Sequence, residues 1–168
     1  SRTRPRAAVP RKETLAPAPL RITVTNGDLT FEREVLLLGH YRSTRLTGTE
    51  AVMDRLIGGA MTHALRSGVY PSSVGSHQVF INNRPNLERG TFMPRPKAVV
   101  VVGLGEEGDL QALHLASTVR QAVIAWSQRL AEEKTRRTET FALATTLIGS
   151  GGARVTAGEA ATLIAQGV

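Results

Sequence analysis

The 168-residue chain has no cysteine, which excludes a disulfide framework, a thiolate metal site and a cysteine nucleophile. Aromatic residues make up only 4% of it. Phe31, Tyr41, Tyr70, Phe80, Phe92, Trp126 and Phe141 are scattered, not grouped as a base-stacking platform would be. Long apolar runs are also missing: Val35-Leu36-Leu37-Leu38 and Ala98-Val99-Val100-Val101-Val102 are typical of the runs present. Both fall far short of the roughly 20 residues that cross a bilayer, so no contact with a membrane and a cytoplasmic location are expected. Hydrophobic residues still account for 41% of the chain, enough for one domain with a buried core.

The formal charge of +7 is concentrated at one end. Arg2, Arg4, Arg6, Arg11, Lys12 and Arg21 oppose Glu13 alone, and Pro5, Pro10, Pro17 and Pro19 interrupt the same stretch. Such a segment buries too little apolar surface to offset the entropy of ordering. Residues 1–19 are therefore expected to be a disordered, basic, Pro-rich linker, and residues 20–168 the folded domain. No aromatic is interleaved with the basic residues, which argues for a tether over a nucleic-acid arm. A start on Ser1 and a stop just after an apparent short helix suggest a piece of a longer protein.

Residues 20–25 alternate apolar and polar with Ile22 and Val24 on one side, and meet the turn signal Asn26-Gly27-Asp28, so a strand entering a hairpin or tight loop is expected. Residues 31–39 end in a solid aliphatic run, which predicts a central strand covered on both faces. Paired apolar positions from Val52 to Leu65 predict one helix over residues 49–66, with a capping box at Thr47 and Glu50 and a terminal cap at Gly68. Gly58-Gly59 inside it should cost about 1 kcal/mol each, which implies close approach of a neighbour. Residues 78–81 read as a short strand, 82–96 as an irregular loop, and 97–102 as the most apolar strand. A long helix follows, with Leu113, Ala116, Val119, Val123, Trp126 and Leu130 as its core positions. Residues 140–148 form the last expected strand, and a second capping box, Thr156 with Glu159, opens a closing helix. Strands separated by helices imply an α/β fold with a mixed, largely parallel sheet flanked by helices.

Gly103-Leu104-Gly105-Glu106-Glu107-Gly108 lies between a strand and a helix, in the pattern of a dinucleotide-binding loop. Glu106 and Glu107 would repel a pyrophosphate, and the acidic residue expected after the next strand is missing, so a tight turn explains it better. Gly149-Ser150-Gly151-Gly152, before a helix start, is better placed to cradle an anion but lacks the Lys-Ser/Thr ending of a P-loop. His40, His63, His77 and His114 have no partners at metal-ligand spacing, and Ser76-His77 has no elbow around it. No general acid or base and no cofactor can be assigned from these patterns.

The segment Val99-Val100-Val101-Val102-Gly103-Leu104-Gly105, the Arg120-containing helix, the later glycine loop and Ile164-Ala165-Gln166-Gly167 resemble the amino-terminal domain of leucine aminopeptidases. That domain shares its three-layer architecture with macrodomains, and Asn26-Gly27-Asp28-Leu29-Thr30 is similar to the Gly-Asp-Ile-Thr opening of those that bind ADP-ribose. Asn26-Gly27-Asp28-Leu29, Gly39-His40-Tyr41, Gly48-Thr49-Glu50-Ala51 with Asp54, Gly58-Gly59, Gly68-Val69-Tyr70-Pro71, Val79-Phe80 and Gly103-Leu104-Gly105 resemble a domain that precedes caspase-like CHAT protease domains in large bacterial proteins. The resemblance implies a macro-like α/β domain. It departs from macrodomains where Leu38-Gly39-His40-Tyr41 replaces an Asn-Ala-Asn strand end, and where the three-glycine loop is reduced to Thr47-Gly48-Thr49. Those changes argue against ADP-ribose hydrolysis, and the missing zinc-ligand signatures argue against peptidase activity.

The resulting expectation is a non-catalytic regulatory or recognition domain of a bacterial effector, whose partner is a downstream caspase-like domain of the same polypeptide. The alternatives are an ADP-ribose- or nucleotide-binding or hydrolysing macro-type domain using Asp28 or His40, and nucleic-acid binding through the basic tail. A small anionic ligand is expected at the carboxyl ends of the strands, near Gly27, Asp28, Gly39, His40, Gly103, Gly105, Gly149 and Gly151.

Overall fold

The computed structural model describes residues 19–83, 96–133, 140–151 and 154–168. All but Pro19 of the expected linker and most of the loop before Pro96 lie outside these. Four strands form one mixed sheet: β1 (Val35–His40), β2 (His77–Ile81), β3 (Ala98–Gly103) and β4 (Leu143–Thr145), in the order β2-β3-β1-β4. β1 runs parallel to both β3 and β4, while β2 lies antiparallel on the outer side of β3. The aliphatic runs form the two central strands, as expected of strands shielded on both faces.

Side-chain alternation divides the core into two layers. Val35, Leu37, Val100 and Val102 face α3 (Ala112–Glu133) and α4 (Ala157–Gly167), where Leu115, Val119, Ala122, Trp126 and Ile164 complete one cluster. Leu36, Leu38, Val99 and Val101 face α1 (Gly48–Leu56) and α2 (Ala60–Arg66), packing on Met53, Ile57, Met61, Tyr70 and Phe80. The result is a three-layer α/β domain with helices on both sides of the sheet. α4 packs closely on α3: a Cβ at Gly167 would stand 2.7 Å from Val119, and Arg120 Nη2 donates to the Gln166 carbonyl at 2.9 Å. Thr156 and Glu159 form the expected capping box at the start of α4.

Several local expectations are corrected. Residues 20–25 form no strand; Leu20, Ile22 and Val24 are exposed, Val24 at 93%, because no strand among the described residues supplies a backbone partner. Of the two turns expected at Asn26-Gly27-Asp28, the chain takes the tight one, with Asp28 capping a short 3-10 turn at Leu29–Phe31. The single helix expected over residues 49–66 is two helices. Gly58 and Gly59 adopt φ of +94° and +84°, left-handed values that end α1 and suit glycine. Gly68, at φ +71°, terminates α2 as expected. The capping box at Thr47 is absent, because Glu50 is bonded elsewhere. On α3, Leu113 is exposed because it lies in the first turn, away from the stripe of Leu115, Val119, Ala122, Trp126 and Leu130. The expected strand over residues 140–148 pairs only at β4, since Ile148 N donates back to the Thr146 carbonyl at 2.8 Å in a tight turn.

Candidate functional site

The parallel strands β1 and β4 end beside the start of α1, and a cleft of about 500 Å³ opens there, within the usual range of ligand sites. Leu38, Gly39, Tyr41, Arg42, Ser43, Thr47, Thr49, Glu50, Glu107, Thr146 and Gly151 line it. Ligands of open α/β sheets gather outside the carboxyl ends of strands, so this cleft lies where the topology favours a site. Thr49 also borders a second recess of about 280 Å³, lined by Gly27, Asp28, Leu29, Thr30, Val52 and Met53. The two hollows therefore flank the first turn of α1.

The eight residues expected to gather at a site fall into three groups. Gly27 and Asp28 line the smaller recess, and Gly39 and Gly151 line the cleft. His40, Gly103, Gly105 and Gly149 line neither. Asp28 Oδ1 accepts from Thr30 N at 2.9 Å, and that bond holds its carboxyl below the ordinary carboxylate value.

Close packing explains three of the glycines. A Cβ at Gly39 would come within 2.5 Å of Ile148 and 2.7 Å of Leu104, one at Gly149 within 2.8 Å of Leu110, and one at Gly103 would meet the Ser73 carbonyl and Ser76 Oγ. The amides of Gly103 and Gly105 donate to the carbonyls of Ser76 and Ser72, at 2.8 and 3.1 Å. Residues 72–76 thus cover the end of β3 and occupy the donors that an anion there would require. Gly105 and Gly108 take positive φ in the tight turn expected of this glycine pattern.

His40 is buried, its side chain only 1% exposed. Its Nδ1 lies 3.0 Å from Glu50 Oε1 and 3.1 Å from Oε2, and its Nε2 has no protein partner. Tyr70 packs edge-on against the imidazole at 4.8 Å between ring centroids and donates its hydroxyl to Glu50 Oε1 at 2.8 Å. Burial, reinforced by the Glu50 charge and this hydrogen bond, pushes the Tyr70 phenol well above its ordinary range, so it stays a donor. Two donors from the core thus hold Glu50, whose carboxylate borders the cleft.

The rest of the rim is polar. Tyr41 donates to the Gly149 carbonyl at 3.3 Å, and desolvation followed by the Glu107 charge raises its pKa. Arg42 is fixed through its backbone, N to the Gly105 carbonyl at 2.8 Å, while its guanidinium meets Glu106 at 3.0 Å with both side chains more than half exposed. Among the described residues, no group of three His, Asp or Glu is arranged to hold a metal, and no helix is long and apolar enough to cross a membrane.

Sequence reasoning placed Glu50 in a capping box and gave no cleft role to Tyr41, Arg42, Thr146 or Glu107. The available signal was position: Tyr41, Arg42 and Ser43 directly follow a buried parallel strand, where side chains emerge at the ligand end of the sheet.

The fold is that of a macro-like α/β domain. Among solved structures, the macrodomain of Mycobacterium tuberculosis DarG is similar over 85% of this chain and 86% of its own, with a TM-score of 0.57 and 13% sequence identity. At that identity the likeness establishes the architecture. No protein-family model matches the chain, and a search of curated proteins finds no relative by sequence.

Proposed function

We propose that this domain is a recognition module that binds a ligand of the ADP-ribose or nucleotide class in the cleft beyond β1 and β4. The observation that carries the reading is the polar, ligand-sized cleft at the strand ends of a macro-like fold, with Arg42 as the cation among its lining residues. The exposed Arg42–Glu106 pair is worth at most about 1 kcal/mol, so little holds the guanidinium to Glu106, and a ligand phosphate can compete for it against the repulsion of Glu106 and Glu107. Recognition is favoured over hydrolysis because, of the two candidate catalytic residues, His40 lies sealed beneath Tyr70 and Glu50 while Asp28 caps its own turn outside the cleft lining.

The wider role rests on the sequence resemblance: a regulatory domain coupled to a downstream caspase-like protease domain in a longer bacterial protein, similar to the amino-terminal domain of leucine aminopeptidases. What favours it is that His40, Glu50 and Tyr70, all within the motifs of that resemblance, meet through hydrogen bonds and a ring contact beside a cleft that Gly39 and Tyr41 also line.

Titration calorimetry with ADP-ribose tests the proposal. Saturable binding is expected, weakened about five- to tenfold in Arg42→Ala by loss of a charge-assisted contact, and weakened further by added salt. No binding at millimolar ADP-ribose would refute it.

A further inference from the structure

Asn26 is the one asparagine of the chain that precedes a glycine; Asn82, Asn83 and Asn86 precede Asn83, Arg84 and Leu87. An asparagine side-chain amide is open to attack by the main-chain nitrogen of the next residue, and glycine hinders that nitrogen least. Hydrogen bonds to either group suppress the reaction, as at Asn82, whose Nδ2 donates to the Pro96 carbonyl at 3.1 Å. Asn26 and Gly27 are both exposed, and among the described residues neither the Asn26 side chain nor the Gly27 amide has a hydrogen-bond partner. The chain before them is unpaired, with Val24 93% exposed and part of no strand. The chain after them is fixed: Asp28 Oδ1 accepts from Thr30 N at 2.9 Å, and Phe31 N and Glu32 N donate to the carbonyls of Asp28 and Leu29 at 3.1 Å. Asn26-Gly27 is thus an unbonded link entering a fixed turn.

We propose that Asn26 is a site of self-modification, at which Gly27 N attacks Asn26 Cγ and converts the residue through a succinimide to isoaspartate and aspartate. The N–Cγ bond forms as the Cγ–Nδ2 bond breaks, and ammonia leaves with the proton of the Gly27 amide. Water then opens the ring, adding at Cγ to give aspartate or at the main-chain carbonyl carbon of Asn26 to give isoaspartate; no oxidant or reductant takes part. Isoaspartate routes the main chain through its side chain, so it inserts a methylene just ahead of Asp28 and leaves a new carboxylate there. Gly27 and Asp28 line the smaller recess beside α1, whose edge therefore changes in both shape and charge. The partner that fits this product is a carboxyl methyltransferase acting on isoaspartyl chains with S-adenosylmethionine as methyl donor. None of this depends on which ligand the larger cleft takes.

The test ages the whole chain at mildly alkaline pH, native and unfolded in guanidinium chloride, and follows the tryptic peptide of residues 22–33, in which Asn26 is the sole asparagine, by mass spectrometry. The peptide should become heavier by one mass unit, and the aged chain should accept methyl groups from S-adenosylmethionine through an isoaspartyl methyltransferase. The native rate should lie within about threefold of the unfolded rate, because the site needs no local opening. Gly27 does not take a positive φ, and a Cβ there would meet nothing within 4 Å, so Gly27→Ala should melt like the wild type. It should nevertheless slow the mass change at least about tenfold, since its side chain hinders the attacking nitrogen. Asn26→Gln should abolish the change. Protection of the native chain by more than about tenfold, aspartate formed without isoaspartate, or an unchanged rate in Gly27→Ala would each overturn the proposal.

Discussion

Asp54 is buried in the last turn of α1, and the break at Gly58-Gly59 folds the chain back so that its carboxylate caps the next helix. Oδ1 accepts from Met61 N at 2.8 Å and Thr62 N at 3.1 Å, while Oδ2 accepts from Thr62 Oγ1 at 2.5 Å. These are the second and third residues of α2, whose amides have no partner inside the helix. Asp54→Ala would remove a cap worth about 1 kcal/mol and leave the fully buried Met61 amide unpaired, at about 1–3 kcal/mol more. A loss of about 3 kcal/mol follows, or roughly 6–12 °C in the melting midpoint of a domain this size. Asp54→Asn retains an acceptor for both amides and should lose only about 1 kcal/mol. Urea unfolding of both variants measures this, provided the slope with denaturant is unchanged. An alanine loss below about 1 kcal/mol, or equal losses for alanine and asparagine, would refute the capping account.

Gly39→Ala should destabilise by about 1–3 kcal/mol, because its Cβ would be driven into Ile148 and Leu104 at the centre of the sheet; chemical denaturation reads the loss. Thr156→Ala opens the capping box of α4 and should cost about 1 kcal/mol by the same measurement. The raised Tyr70 pKa gives a pH dependence of definite sign. Above pH of about 10 the unfolded chain gives up the phenolic proton that the folded state keeps, so stability falls as pH rises further. Thermal melts between pH 9 and 11 should show a shallower decline for Tyr70→Phe than for the wild type.

The sheet was legible where composition left one physical solution. Runs such as Val35 to Leu38 and Val99 to Val102 cannot face water on either side, so they had to be central strands with helices above and below. Residues 20–25 misled because alternation records a preference for pairing, and a strand forms only where a partner edge exists. Gly58-Gly59 misled in the opposite direction. The apolar spacing continues through the pair as if the helix did, while the left-handed glycines and the Asp54 carboxylate, which caps α2 from several residues away, stabilise the break. The His40, Glu50 and Tyr70 cluster was out of reach for the same reason: its members lie on a strand end, a helix start and a loop, and no local spacing relates them.

The glycines show how a sequence pattern can point to the right end of a fold for the wrong reason. Gly39, Gly103 and Gly149 mark the carboxyl ends of the strands, as a ligand loop would, but the space beside each is filled by Ile148 and Leu104, by residues 73 and 76, and by Leu110. Gly103 and Gly105 have also given their amides to residues 72–76. With those amides occupied, the end of β3 has no backbone cradle to offer an anion. The side chains on the cleft rim carry opposite charges: Arg42, held by an exposed pair, and Glu50, held from the core by two donors. A ligand that satisfies both must itself be divided, with an anionic part for Arg42 and a donor-rich part for Glu50, and this polarity constrains the ligand more tightly than the fold does.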